Sequence, residues 1–340
     1  MSGSWLERAR EELEWLAFFW PRQSVQWLAR RLPLAELRDA LPPAIGERLR
    51  MGLYPARVTD AAEVVCAREQ PQWGSPARLD ASRPIAFSAE PRASILMVTY
   101  NNIELTRLCL ASVQRACGKM PFEVIVVDNA SSDGTQAWLR ECVESKLLPL
   151  KLIENADNRG FAAANNQAAN AARGDVLIFL NNDTVVTPGW LDALVAILDG
   201  DSSIGIVGPA TNSCGNEAQV GTRYADLDAM ARFAAEYTAA HAGERAELPM
   251  LTLFCAAMRR ALYAEIGGLD ERYQVGMFED DDLAMAVRAR GRRVVVARDV
   301  FVHHYGGASF SRLPGAAYLR IWWRNRRRFE RKWGRAWVKR

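Results

Sequence analysis

From residue 94 onward the chain alternates between two textures. Compact apolar runs of strand length are "SILMVTY" (94–100), "FEVIVVDNA" (122–130), "LKLIENA" (150–156) and "DVLIFLNND" (175–183). Between them lie stretches that read as helices: 105–116, then 131–142 with Asp133 as its expected N-cap, then the Ala-rich 162–172. Strands alternating with helices at this spacing predict a parallel, doubly wound sheet. Such a sheet binds its ligands at the carboxyl ends of its strands.

Before residue 94 the pattern differs. Leu6, Ala9, Leu13, Leu16 and Trp20 recur at helical spacing over 4–20, with Glu and Arg opposite, and Pro21 ends the run. Further helical stretches fall at 24–31, 34–39 and 45–51. This pattern fits a helical cap on the main domain, and a lipid-surface helix has the same moment. Pro71, Pro76, Pro84 and Pro91 mark a linker. The expected organisation is a helical extension over 1–70, a linker over 71–91, an α/β domain over 92–315 and a basic aromatic helix over 316–340.

Composition adds three constraints. A chain of 340 residues is long enough for one large domain with appendages. The six cysteines, Cys66, Cys109, Cys117, Cys142, Cys214 and Cys255, form no CxxC pair. They read as reduced, packed thiols of a cytoplasmic protein rather than a disulfide framework or a zinc site. The sequence shows no signal-peptide pattern and no apolar run of membrane-spanning length, so any membrane contact is expected to be peripheral, at the inner face. Charge is uneven. From Tyr318 to Arg340 ten Lys/Arg face one Glu, a local +9 within a net charge of +3.

The strand ends carry the candidate chemistry. They hold Thr99-Tyr100-Asn101, Asp128-Asn129, Asn158-Arg159-Gly160 and Asn181-Asn182-Asp183-Thr184. One Asn or Asp after a strand is turn chemistry; four such ends in succession point to a polar ligand site. No Gly-x-Gly-x-x-Gly follows the first strand and no Walker A lysine occurs, which argues against a dinucleotide or a phosphate-cradling loop. Further on, "GMFEDDDLAMAVRAR" (276–290) sets Glu279, Asp280, Asp281 and Asp282 side by side. Carboxylates there suit a helix N-terminus, and they also suit catalysis. The stretch alone leaves both readings open.

Taken in order, "VTYNN", "EVIVVDNASSDGT", "NRGFAAANNQAA", "VLIFLNNDTVV", "GGLDERY", "FEDDDL" and "VHHYGGASF" resemble a family 2 glycosyltransferase of GT-A fold, a Rossmann-like mixed α/β sheet flanked by helices. The rhamnosyltransferase-like branch of bacterial surface polysaccharide synthesis is the most similar, over about 92–312. The resemblance implies inverting transfer from a UDP- or dTDP-sugar to a saccharide, lipid-linked or protein acceptor. That chemistry needs a base for the acceptor hydroxyl, a divalent cation (Mn2+ or Mg2+) against the diphosphate charge, and a pocket for the nucleotide.

By position in the motifs, Asp183 matches the last residue of the family's DxD, with the amide of Asn181 at its first. Asp128 matches the nucleobase-contacting Asp, Thr99 and Tyr100 its flanking residues, and Arg159 the diphosphate side. Asn101, Asn158 and Asn182 complete the expected nucleotide site. Asp280 falls on the base, Asp282 on a second acidic position and Glu279 on one that positions the acceptor. Asp281 departs from the family's small or apolar residue. The Arg usual seven residues after the Glu is Ala286 here, with Arg288 two later. His303 and His304 match the place of a metal-contacting His. A strand alternates its faces, so one of the two reaches the metal, and the spacing to Gly306 favours His304.

The tail interleaves Trp322, Trp323, Phe329, Trp333 and Trp337 with its cations. It fits a helix packed on the catalytic domain or one lying on an anionic membrane; for nucleic acid, no recognised motif accompanies it. Two other functions stay in view, a sugar-nucleotide pyrophosphorylase and an inactive nucleotide-binding scaffold. The first lacks its basic Gly-rich phosphate loop here; the second would be expected to have lost Asp183 and Asp280.

Overall fold

The structure is a computed structural model that describes residues 78–306 and 315–338. The helices expected at 4–51, the first part of the linker, Cys66 and residues 307–314 lie outside the described residues. Residues 78–92 form no regular element but are strapped to the domain. Gln114 donates to the carbonyls of Asp80 and Arg83 (both 3.1 Å), Ile85 N donates to Leu147 O (3.0 Å), and Leu79 and Ile85 pack on the core.

Four parallel strands form half of the sheet: β1 (Ala93–Thr99), β2 (Phe122–Asp128), β3 (Leu150–Glu154) and β4 (Val176–Leu180). Between them run α1 (Ile103–Ala116), α2 (Thr135–Ser145) and α3 (Phe161–Ala171). Each strand is an apolar run because both of its faces are covered. Ile95, Met97, Val124, Val126 and Ile178 face α1, α2 and α4 (Trp190–Gly200), whereas Leu96, Ile125, Val127, Leu177 and Phe179 face α3 and its neighbours.

The second half is not parallel. β5 (Thr184–Val186), β6 (Ile204–Ala210), β7 (Arg245–Glu247), β8 (Cys255–Arg259) and β9 (Arg293–His304) complete the order β3-β2-β1-β4-β8-β6-β9-β5, with β7 also on β9. β8 runs antiparallel to both β4 and β6, and β5 and β7 run antiparallel to β9. The expectation of a parallel doubly wound sheet therefore holds for the first four strands, and the whole is a mixed sheet. α5 (Leu227–Ala240), α6 (Arg260–Ile266), α7 (Glu279–Ala289) and α8 (Gly315–Trp333) complete the described helices. None of these is long and apolar enough to cross a membrane. The five described cysteines are free thiols.

One cap differs from expectation. α2 starts after Gly134, whose φ of 93° needs no Cβ, and Asp133 does not cap it. The Asp133 carboxylate instead accepts from Ile103 N (3.0 Å), at the start of α1, and from Thr135 N (3.2 Å). It ties the first two crossover helices together at the ligand end of the sheet.

Candidate active site

The carboxyl ends of β1, β2, β4, β6 and β9, and the start of β8, all lie at one end of the sheet. At β2, Asp128 is fully buried. Its Oδ1 accepts from Ser131 N (2.9 Å) and Gln136 Nε2 (2.8 Å). Its Oδ2 is buried with no hydrogen-bond partner among the described residues. A buried acceptor of this kind is costly unless something donates to it.

Beside it, Asn101 N donates to Ser131 Oγ (2.7 Å), and Asn101 Oδ1 accepts from Ser132 N (2.8 Å). Tyr100 stands 41% exposed, an available ring face. Asn158 closes an Asx turn onto Gly160 N (2.9 Å), and Arg159 projects into solvent. Thr99 and Asn182 are placed otherwise. Asn182 Nδ2 donates to Thr106 Oγ1 (2.9 Å) and Thr99 Oγ1 (3.2 Å), so both side chains are engaged inside the protein and brace the strand ends.

At the exit of β4, Asp183 meets the end of β9. The register pairs Thr184 with His304, and His304 Nε2 lies 3.3 Å from Asp183 Oδ1. His304 Nδ1 donates to Ser213 O (2.7 Å), and Asn212 brackets the residue through its backbone N (2.7 Å) and carbonyl (3.0 Å). That fixes the ring and directs Nε2 at the carboxylate, the arrangement of a metal-ligating imidazole. Burial disfavours the charged ring, but the Asp183 charge and hydrogen bond outweigh it and hold His304 above its usual range. His303 points to the other face. Its Nδ1 meets Tyr224 OH (2.6 Å), its ring packs on Tyr305, and burial pulls its pKa down to about 3.

Among the described residues no three His, Cys, Asp or Glu side chains converge as a complete metal site. One carboxylate and one oriented imidazole, with the half-exposed Asn181 two residues before Asp183, fit a cation whose remaining positions are filled by a phosphorylated ligand.

The acidic run opens α7, with all four acids in its first turn. Glu279 is buried. Burial, more than its neighbours' charges, pushes it up to about 7, although its own N–H and that of Met277 donate to the carboxylate. Its Oε2 has no hydrogen-bond partner among the described residues. Asp280 is half-buried. Burial, then the charges of Glu279 and Asp281, raise it well above the usual carboxylate range, and Leu253 N donates to it. Asp282 is held from three sides, by Trp333 Nε1 (2.8 Å) and Tyr273 OH (3.2 Å) on Oδ1 and Lys332 Nζ (2.7 Å) on Oδ2. It serves as an anchor for α8. Arg288 sits at the far end of α7, on Leu248 O (3.2 Å).

Two adjacent residues join the halves of the site. Leu253 N–H holds Asp280. Phe254 accepts from Asn181 N (2.7 Å) and stacks on the His304 ring at 4.8 Å. Nothing in "LTLFCAAM" marks this role, since it is carried by backbone groups and one ring. Gln136, Ser213 and Asn212 were equally unmarked in sequence, because each acts by orienting another side chain.

Residues 94–267, just over half of the chain, match the family model of glycosyl transferase family 2. Over 257 residues the chain is 28% identical to the O-antigen biosynthesis protein RfbC of Myxococcus xanthus, covering 69% of this chain and 19% of that protein. Over 245 residues it is 27% identical to the N-acetylglucosaminyl-diphospho-decaprenol L-rhamnosyltransferase of Mycobacterium tuberculosis (strain H37Rv), covering 65% of this chain and 78% of that enzyme. Two curated relatives are much longer, and the chain spans only about a quarter and a fifth of their length. The structure of GalNAc-T7 with UDP, GalNAc and Mn2+ superposes with a TM-score of 0.52 at 18% identity, over 64% of this chain and 44% of that one, a likeness of fold. The fold is thus that of GT-A enzymes, and the chain belongs to glycosyltransferase family 2.

Proposed function

We propose that the chain transfers a glycosyl group, with inversion, from a nucleoside-diphosphate sugar to an acceptor hydroxyl. The observation that carries the reading is the adjacency built by Leu253 and Phe254. Leu253 N–H donates to Asp280, whose pKa is raised, and the next residue stacks on the His304 ring of the Asp183–His304 pair, which supports one shared site. Asp280 accepts the acceptor's proton, and its partial exposure leaves it open to an incoming hydroxyl. Its own burial, and next the charge of Glu279, keep that affinity for a proton high. Asp128 Oδ2 receives a ring N–H of the base, a pairing that suits uracil or thymine, and Tyr100 offers a ring face beside it. Asp183, His304 and Asn181 would hold a divalent cation, which offsets the charge developing on the departing diphosphate. Arg159, exposed on the donor side, suits the diphosphate.

The Mycobacterium relative's name specifies an L-rhamnosyl donor and a lipid-diphosphate acceptor. We take a lipid-linked saccharide as the acceptor class here, ahead of protein. Arg320, Arg324, Arg327 and Arg331 form one exposed stripe on α8, opposite its packed face. That stripe suits the anionic surface, at the inner face of a membrane, where such acceptors reside.

Asp280→Asn tests the base. Transfer should fall at least about a thousandfold, since a neutral amide takes no proton, while nucleotide affinity stays within about threefold. Equal loss of binding and turnover would make Asp280 a structural residue. Retained turnover would remove it from the mechanism.

A further inference from the structure

The approach to α7 is conformationally improbable. Gln274, Met277 and Phe278 have φ of 58°, 76° and 75°, and Gly276 has 145°. A positive φ is disfavoured for any residue that bears a Cβ, and three such residues fall within five positions. Such a loop persists only where its surroundings over-determine it. This one lies between the two halves of the chemistry. On one side it runs directly into Glu279 and Asp280, and Met277 N–H donates to the Glu279 carboxylate. On the other it touches the donor-side loop, where a Cβ on Gly160 would collide with the Gln274 carbonyl.

What holds it comes from α8. Asn325 is fully buried, in a helix whose other face is arginine-rich. Its Nδ2 donates to Tyr273 O (2.8 Å) and Gly276 O (2.9 Å), with Met277 O at 3.3 Å. These carbonyls converge on one amide, whose two hydrogens they share. Around it, Phe278 packs edge-on against Trp322 and Trp337 and tilts against Phe329. Trp337 Nε1 also donates to Asp281 (3.1 Å).

We propose that Asn325 is a positioning residue: its amide clamps residues 273–277 in the strained form that sets Asp280 against the donor. The inference rests on Asp280 being the base. α8 is on this account part of the active site, and the clamp sits some 45 residues from the base in sequence.

The test compares full-length wild type, Asn325→Ala and Asn325→Asp, the last keeping the shape and replacing both donors with an acceptor. Three readouts are taken: amide hydrogen exchange, UDP and dTDP affinity with Mn2+, and nucleoside-diphosphate release from UDP- and dTDP-sugars. Both variants should speed exchange over 276–282 at least tenfold while β1, β2 and β4 keep their wild-type rates. They should lower kcat thirtyfold or more with the KM for donor within threefold. Unchanged exchange over 276–282 would overturn the proposal. So would faster exchange across the whole sheet with kcat and nucleotide affinity falling together, the mark of general destabilisation. If Asn325→Ala and Asn325→Asp do not fold, Asn325→Ser, which keeps one donor, should show the same local exchange and an intermediate kcat, and its failure to do so overturns the clamp. A wild-type chain that releases no nucleotide from any donor would refute the proposed function, while the exchange data would still decide the clamp.

Discussion

At the scale of single residues, the site depends on which polar groups the fold leaves open. Asp282 and Asp280 look alike in "FEDDDL", yet Asp282 is locked by Lys332, Trp333 and Tyr273 whereas Asp280 keeps partial exposure. The motifs set Asp280 on the base and Asp282 on a second acidic position, but they gave no sign that Asp282 is held from three sides, because Lys332 and Trp333 reach it from α8 and Tyr273 from the loop before α7. The two histidines were separable by strand alternation, and their side chains do go to different faces, His304 to Asp183 and His303 to Tyr224. Glu279 gives a test with a definite sign. Burial pushes its carboxyl up to about 7 in the folded state, above the ordinary 4.5. The folded state therefore binds the extra proton between these values, and stability falls as pH rises through that window. The loss approaches about 3 kcal/mol at most. Chemical denaturation of wild type and Glu279→Gln from pH 4.5 to 8 should show the two curves converging on the acid side and the variant more stable on the alkaline side. Parallel curves would mean that Glu279 is not a buried, proton-holding carboxyl.

At the scale of elements, α8 is the piece the sequence described least well. Its amphipathicity and charge were visible, and they left packing and membrane contact as rivals. In the structure one face of the helix packs and the other carries exposed arginines. Asn325, Phe329, Lys332 and Trp333 face α7 and the loop before it, while Arg320, Arg324, Arg327 and Arg331 face solvent. Deleting the tail would therefore damage the site and say nothing clean about lipid. Substituting Arg320, Arg327 and Arg331 by Gln leaves the packed face alone. Each cation near an anionic surface contributes about 1 kcal/mol. The triple variant should bind phosphatidylglycerol vesicles on the order of a hundredfold more weakly, with an unchanged melting temperature. Equal sedimentation of variant and wild type would exclude this face as a lipid contact.

At the scale of the whole molecule, the four parallel strands and the three helices between them were legible because parallel strands covered on both faces read as unbroken apolar runs. The antiparallel β8 and the short β5 and β7 were not, since they follow no crossover helix and are set by long-range pairing with β4 and β9. That pairing creates the site: it brings Phe254 and Leu253 between Asn181, His304 and Asp280. The account's central claim is that these groups form one metal-assisted nucleotide-sugar site. Melting temperatures of wild type and His304→Ala with UDP, dTDP, GDP and CMP, each with and without Mn2+, test it most directly. A nucleotide at a hundred times its Kd adds about 2.7 kcal/mol, which raises the melting temperature of a domain this size by roughly 5–10 °C. The account predicts that shift for UDP or dTDP with Mn2+, and its loss in His304→Ala. Shifts that ignore Mn2+ and survive in His304→Ala, or no shift with any nucleotide, would contradict it.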